Sequence, residues 1–213
     1  MLWCVMLAAC GAQPAAAAAT ALPTATLAPP TATLAPPTAV PTIVPATAAP
    51  TPQSSAAQYA FPVRSKGKLN YGKYHHDYPA TDMFCPIGSM FVAPTGGVVD
   101  WVTTKDVWDP ATNKGAERGG LSVAIIGDDG VRYYGSHLSA VAAGIAPGVR
   151  VEVGQLLGLT GKSGDARTTD AHLHFGISHP TTPDDWATRR GEVSPYPYLE
   201  AWQRGGDVMP KLK

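Results

Sequence analysis

Near the end of the chain, TTDAHLHFGIS places His172 and His174 on either side of Leu173, in a run that reads as a strand. Side chains at i and i+2 of a strand share a face. The two imidazoles therefore stand side by side, with Leu173 and Phe175 on the opposite face. Such a pair suits a metal, a catalytic couple or a polar surface. Further histidines lie far upstream, in HHDYPATD from His75 to Asp82, and in YYGSHL at His137. A catalytic zinc ion takes three protein groups, imidazoles and carboxylates among them, and keeps one position for water. His172 and His174 alone cannot supply that set.

The elements that must gather these groups read as short strands between glycine turns. GVVDWV at residues 97–102 follows a Gly-Gly turn. LSVAII at 121–126, the GDDG turn and VRYY at 131–134 form a hairpin pattern. VRVEV at 149–153 alternates apolar and charged residues, and GQLLGL follows it. The one clear helix signal comes late: prolines at 195 and 197 open a segment that Gly205 closes. The sequence thus predicts a mainly β domain, a compact antiparallel sheet structure with small peripheral helices.

Taken in order, several segments resemble the lysostaphin-type zinc metalloendopeptidases, which cut peptide cross-links of bacterial peptidoglycan. They are the upstream His…Asp pair, PIGSMFVAPTGGVV at 86–99, YGSHL at 134–138, GVRVEVGQLLG at 148–158, and HLHF at 172–175. The resemblance implies a duplicated-hybrid-motif, barrel-like fold. It also implies a Zn2+ cofactor held by the upstream histidine, Asp82 and His174. His137 and His172 would be the catalytic histidines beside the metal. One would take a proton from water, and the pair would stabilise the charge that develops on the substrate. The family commonly places its first histidine four residues before the aspartate. Here His75 and His76 lie seven and six before Asp82. An even separation keeps two groups on one face of an extended chain, which favours His76 as the ligand.

Other residues have simpler readings. Cys85 is expected to be a small buried thiol, and His179 structural or exposed. Asp77 would either orient a ligand imidazole or be solvated. One of Tyr133 and Tyr134 should pack in the core while its neighbour lines the cleft. Trp101, Trp108, Trp186 and Trp202 read as packing residues. Asp184-Asp185 and Arg189-Arg190 read as a solvated, self-paired surface.

The first 63 residues contain no Lys, Arg, Asp or Glu, so all 16 basic and 16 acidic residues follow. The formal net charge is zero, which gives no reason to expect nucleic acid as a partner. The opening MLWCVMLAACG is too short to span a membrane. Its LAACG resembles a bacterial lipobox, which implies a signal peptide over residues 1–10 and a lipid on Cys10 anchoring a secreted protein to the membrane. Residues 11–57 are Ala, Pro and Thr rich, with PTATLAP twice in tandem at 23–29 and 30–36. Such a segment cannot bury enough apolar surface to fold and is expected to be a disordered, extended tether. The metallopeptidase domain then covers 58–213, with a core at 61–178 and a C-terminal extension at 179–213. A monomer acting on peptidoglycan in the cell envelope is expected. The alternative is a non-catalytic wall-binding module on the same fold that activates other hydrolases, and the complete histidine set argues against it.

Overall fold

The computed structural model describes residues 58–182 and 184–212. Residues 1–57, which carry the expected signal peptide, Cys10 and the expected tether, lie outside the described residues. Ten strands run in chain order: β1 (Val63–Arg64), β2 (Asn70–Tyr71), β3 (Thr81–Phe84), β4 (Met90–Val92), β5 (Gly97–Thr103), β6 (Leu121–Gly127), β7 (Arg132–Val141), β8 (Arg150–Val151), β9 (Leu156–Thr160) and β10 (His172–Ser178). Two short helices follow, α1 (Trp186–Arg189) and α2 (Tyr196–Gln203). Every strand pair is antiparallel. The mainly β expectation holds. The 149–153 pattern yields only the two-residue β8, because Gly148 and Gly154 take positive φ and turn the chain at both ends.

β7 gives the sheet its curl. Its first half pairs with β6 on one edge and β10 on the other, and its second half, from Leu138, pairs with β9. His137 sits at the changeover with φ +63°. This left-handed conformation costs a non-glycine residue about 1–3 kcal/mol. Its backbone N–H donates to the Gly119 carbonyl at 2.9 Å, so the kink is bonded rather than frayed.

β10 is central, between β3 and β7, and all seven of its residues are buried. Leu173, Phe175 and Ile177 enter a core with Met83, Phe91, Tyr133, Leu157 and Leu199. Each such side chain contributes about 1.5–3 kcal/mol on burial. The opposite face, carrying His172 and His174, is closed by loops. Gly176 permits one of them to approach: a Cβ there would meet the Arg190 carbonyl oxygen at 2.3 Å. Gly191, at φ +146°, would likewise meet the Pro79 oxygen at 2.1 Å. These two glycines let residues 190–191 lie directly on β10 and on the chain entering β3.

α2 starts and stops as its prolines and Gly205 indicate, with Gly205 at φ +79°. Trp202 on α2 stacks on Tyr59, with ring centres 5.3 Å apart. Cys85 is buried and free. Among the described residues no helix is long and apolar enough to cross a membrane.

Candidate metal centre and its flanking histidines

The register of three strands builds the centre. His174 on β10 lies opposite Asp82 on β3 and opposite Ser136 on β7. The neighbour of Ser136 is His137, so Asp82, His174 and His137 occupy the same or adjacent rungs, with His172 two residues along β10. His174 Nδ1 stands 2.9 Å from Asp82 Oδ1, and His172 Nε2 stands 3.9 Å from the same oxygen. The rings of His137 and His172 are 4.8 Å apart. Together these groups line an open cleft of about 440 Å³.

The remaining wall is not made of strand. Residue 73 and residues 76–79, which precede β3, form bends. The face-parity expectation that favoured His76 needs an extended chain, and this segment is not extended. Its two histidines divide differently. His75 turns inward, with a side chain only 3% exposed, and its Nε2 lies 3.6 Å from Asp82 Oδ2. The His76 side chain is 78% exposed and pairs with Asp77 at 3.9 Å. Both imidazoles, with Asp82, offer ligand atoms within 4.8 Å of one another.

Hydrogen bonds to main-chain carbonyls, which can only accept, fix the ring tautomers. His137 Nδ1 donates to the Ser163 carbonyl at 2.9 Å, and His172 Nδ1 donates to that of Asp170 at 2.8 Å. When these rings are neutral, each leaves a bare Nε2. His174 is tied the other way round: its Nε2 donates to the Arg190 carbonyl at 2.8 Å. A neutral His174 therefore points a lone pair at the Asp82 carboxylate. Two acceptors 2.9 Å apart need a second proton or a shared cation between them.

This donor set fits a divalent ion. Two imidazoles and a carboxylate are a zinc-type set. Ligand atoms bound at ~2.0–2.1 Å around a tetrahedral ion lie about 3.3 Å apart. The separations of 2.9 and 3.6 Å from Asp82 bracket that spacing. His75 Nδ1 is buried and has no hydrogen-bond partner, so no hydrogen bond at that atom fixes the tautomer of this imidazole.

Electrostatics keep the groups in reactive forms. Burial raises the Asp82 pKa, but the hydrogen bond from His174 and the nearby imidazoles outweigh it and hold the carboxyl well below its usual range. Burial, reinforced by His174 and His172, lowers His137 to about 3. Burial and His174 lower His75 to about 4. Asp165 lies 3.9 Å from His137 Nε2. Burial pushes its carboxyl upward, against the field of Arg118.

Tyr133 is fully buried, while Tyr134 lines the cleft, which is the division expected for the pair. His179 pairs with Glu192 at 2.7 Å at the surface. The reading of Arg189-Arg190 as a solvated, self-paired surface is overturned. Arg189 is buried, and its guanidinium lies 3.9 Å above the Trp101 ring. Arg190 stacks 3.7 Å above Tyr78 and 5.1 Å from Trp186. Both arginines, and Trp186, line the cleft. The available signal was helical: Trp186 and Arg190 are i and i+4, one face of a turn.

A curled antiparallel sheet that presses paired histidines and an aspartate into one cleft defines a metallopeptidase-like scaffold. The profile of peptidase family M23 matches residues 76–186, and the chain belongs to that family. The L-Ala–D-Glu endopeptidase of Bacillus subtilis is 28% identical over 162 residues, which cover 69% of this chain. The chain spans 44% of the length of that curated relative. Lysostaphin from Staphylococcus simulans shares the fold with a TM-score of 0.52 at 23% identity, covering 74% of this chain and 60% of its own. A candidate glycyl-glycine endopeptidase, lytM, from Ruminococcus gnavus shares it with a TM-score of 0.53 at 24% identity, covering 70% and 62%.

Proposed function

We propose that this protein is a zinc-dependent endopeptidase that hydrolyses amide bonds in the peptide part of bacterial peptidoglycan. The observation that carries the proposal is the environment of Asp82. Its two oxygens face the His174 and His75 imidazoles, while two other imidazoles aim at the same space. His75, Asp82 and His174 would hold the ion. His75 replaces the His76 of the spacing argument because it is the inward ring of the pair. When bound, zinc supplies Lewis-acid polarisation of the scissile carbonyl and of water.

The chain's own residues handle the protons. A neutral His137 presents Nε2 as an acceptor, and the Ser163 carbonyl fixes its orientation. His172 presents a second Nε2 on the neighbouring strand, held by the Asp170 carbonyl. One takes a proton from water and returns it to the leaving amine. The other, once protonated, donates to the carbonyl oxygen as negative charge develops. The L-Ala–D-Glu endopeptidase relative supports the substrate class. A wall substrate places the domain outside the cytoplasm, and acylation of Cys10 would keep it near the membrane.

The test uses the full chain. The expected result is about one zinc per chain, release of peptides from purified peptidoglycan, loss of activity with chelator and recovery with added zinc. Mass analysis of the native N-terminus should find acylated Cys10. A metal-free, inactive chain that still stimulated another wall hydrolase would overturn the proposal in favour of a regulatory module.

A further inference from the structure

The Arg190 guanidinium is stacked between Tyr78 and Trp186, with its Cζ 3.7 Å from one ring centre and 5.1 Å from the other. Its main-chain carbonyl is engaged by His174. Among the described residues no side chain gives the guanidinium a hydrogen bond or an ion pair, and its Nε is buried without a partner. The acids of the cleft are committed elsewhere. Asp82 faces imidazoles, Asp165 lies by His137 in the field of Arg118, and Asp77 is paired with His76 at the rim. A partly buried cation without a counter-charge is costly. Aromatic stacking offsets part of that cost and fixes the plane of the fork. A fixed guanidinium fork with free N–H donors fits a carboxylate through two parallel hydrogen bonds.

We propose that Arg190 is a carboxylate-binding subsite of the cleft. It selects peptides that carry a free carboxylate within about one to two residues of the bond to be cut. The distance follows from Tyr78, whose ring touches Arg190 on one side and lies 4.4 Å from the His75 ring and 5.8 Å from the His174 ring. That span is covered by one or two residues of extended peptide at ~3.4 Å each. The inference rests on the peptide substrate proposed above. The subsite determines specificity and carries no chemical step.

The experiment compares two preparations of peptidoglycan stem peptide, identical except that the carboxylate is free in one and amidated in the other. Full-length wild type should prefer the free form by on the order of 10–100-fold in kcat/KM. Arg190→Gln should collapse that ratio toward one, and Arg190→Lys should retain part of it. Zinc content should be the same in all three proteins, because His174 is held by the main chain of residue 190. Calorimetric binding of the same two uncut peptides reads the subsite without turnover. A carboxylate preference in wild type that vanishes in Arg190→Gln would support the subsite even if neither peptide were cleaved. In that case only the endopeptidase proposal would fail. Equal use and binding of both peptides by wild type, absence of binding by either, or an unchanged preference in Arg190→Gln would overturn the subsite.

Discussion

The two sides of the cleft are made by different means. On one side Asp82, His137, His172 and His174 stand on three hydrogen-bonded strands, and their spacing is set by sheet register. On the other, His75, Tyr78 and Arg190 come from bends and a four-residue helix laid over β10. The strand side orients its imidazoles by hydrogen bonds from the ring to a carboxylate or carbonyl, one each for His137 and His172 and two for His174. The loop side relies on ring stacking and on two glycines that permit close approach. The proposed roles follow the same division: proton transfer and two ligands would fall to the strand side, and the third ligand and substrate selection to the loop side.

The largest test of that division lies within the strand side. His174→Ala should lose most bound zinc, weakening metal affinity on the order of 100–1,000-fold, as expected when one of three ligands is removed. His137→Ala should keep its zinc and lose about 10²–10⁴-fold in kcat. Equal zinc content in the two variants would erase the distinction between ligand and proton-transfer histidines. The loop side is sharpened by its own pair. His75→Ala should weaken zinc binding about 10–100-fold, while His76→Ala, at an exposed position, should change it less than about threefold. The reverse order, read by competition with a chromogenic chelator, would restore the spacing-based assignment.

Gly176→Ala probes the seam between the two sides. Its new Cβ must displace the Arg190 carbonyl from its hydrogen bond to His174. An affinity loss of about tenfold in zinc titration is expected, with a smaller loss of thermal stability. Wild-type affinity in that variant would mean that the seam does not orient the ligand.

A last effect is one of pH. In chelator-treated protein, His137 titrates near 3 and His75 near 4 in the fold, against about 6.5 when unfolded. The unfolded chain therefore binds more protons below pH 6.5. The stability contributed by these neutral rings is complete above that pH and falls as pH drops toward 4. The urea midpoint should decline from pH 7 to pH 5 in wild type, and less steeply in His137→Asn. Parallel profiles would contradict the buried, neutral state of His137.

The difference between the two sides also explains what could be read from residues alone. The pairing of His172 with His174, the hairpin around GDDG and the helix bounded by Pro195 and Gly205 were legible because strand alternation and capping are local properties. The choice between His75 and His76 was not, because a parity argument holds only along an extended chain, and residues 76–79 bend. Arg189 and Arg190 were misread because charge suggests solvent, whereas their environment is set by Trp101, Tyr78 and Trp186, which tertiary structure brings over them. The kink at His137 likewise depends on β7 serving two partners, which no local pattern announces.

That kink limits what can follow at position 137. At φ +63° glycine fits without strain and asparagine at little cost, whereas a branched residue such as valine or isoleucine would force the strand to rearrange. Glycine or asparagine at this position would therefore remove the imidazole while leaving the bend of β7 in place.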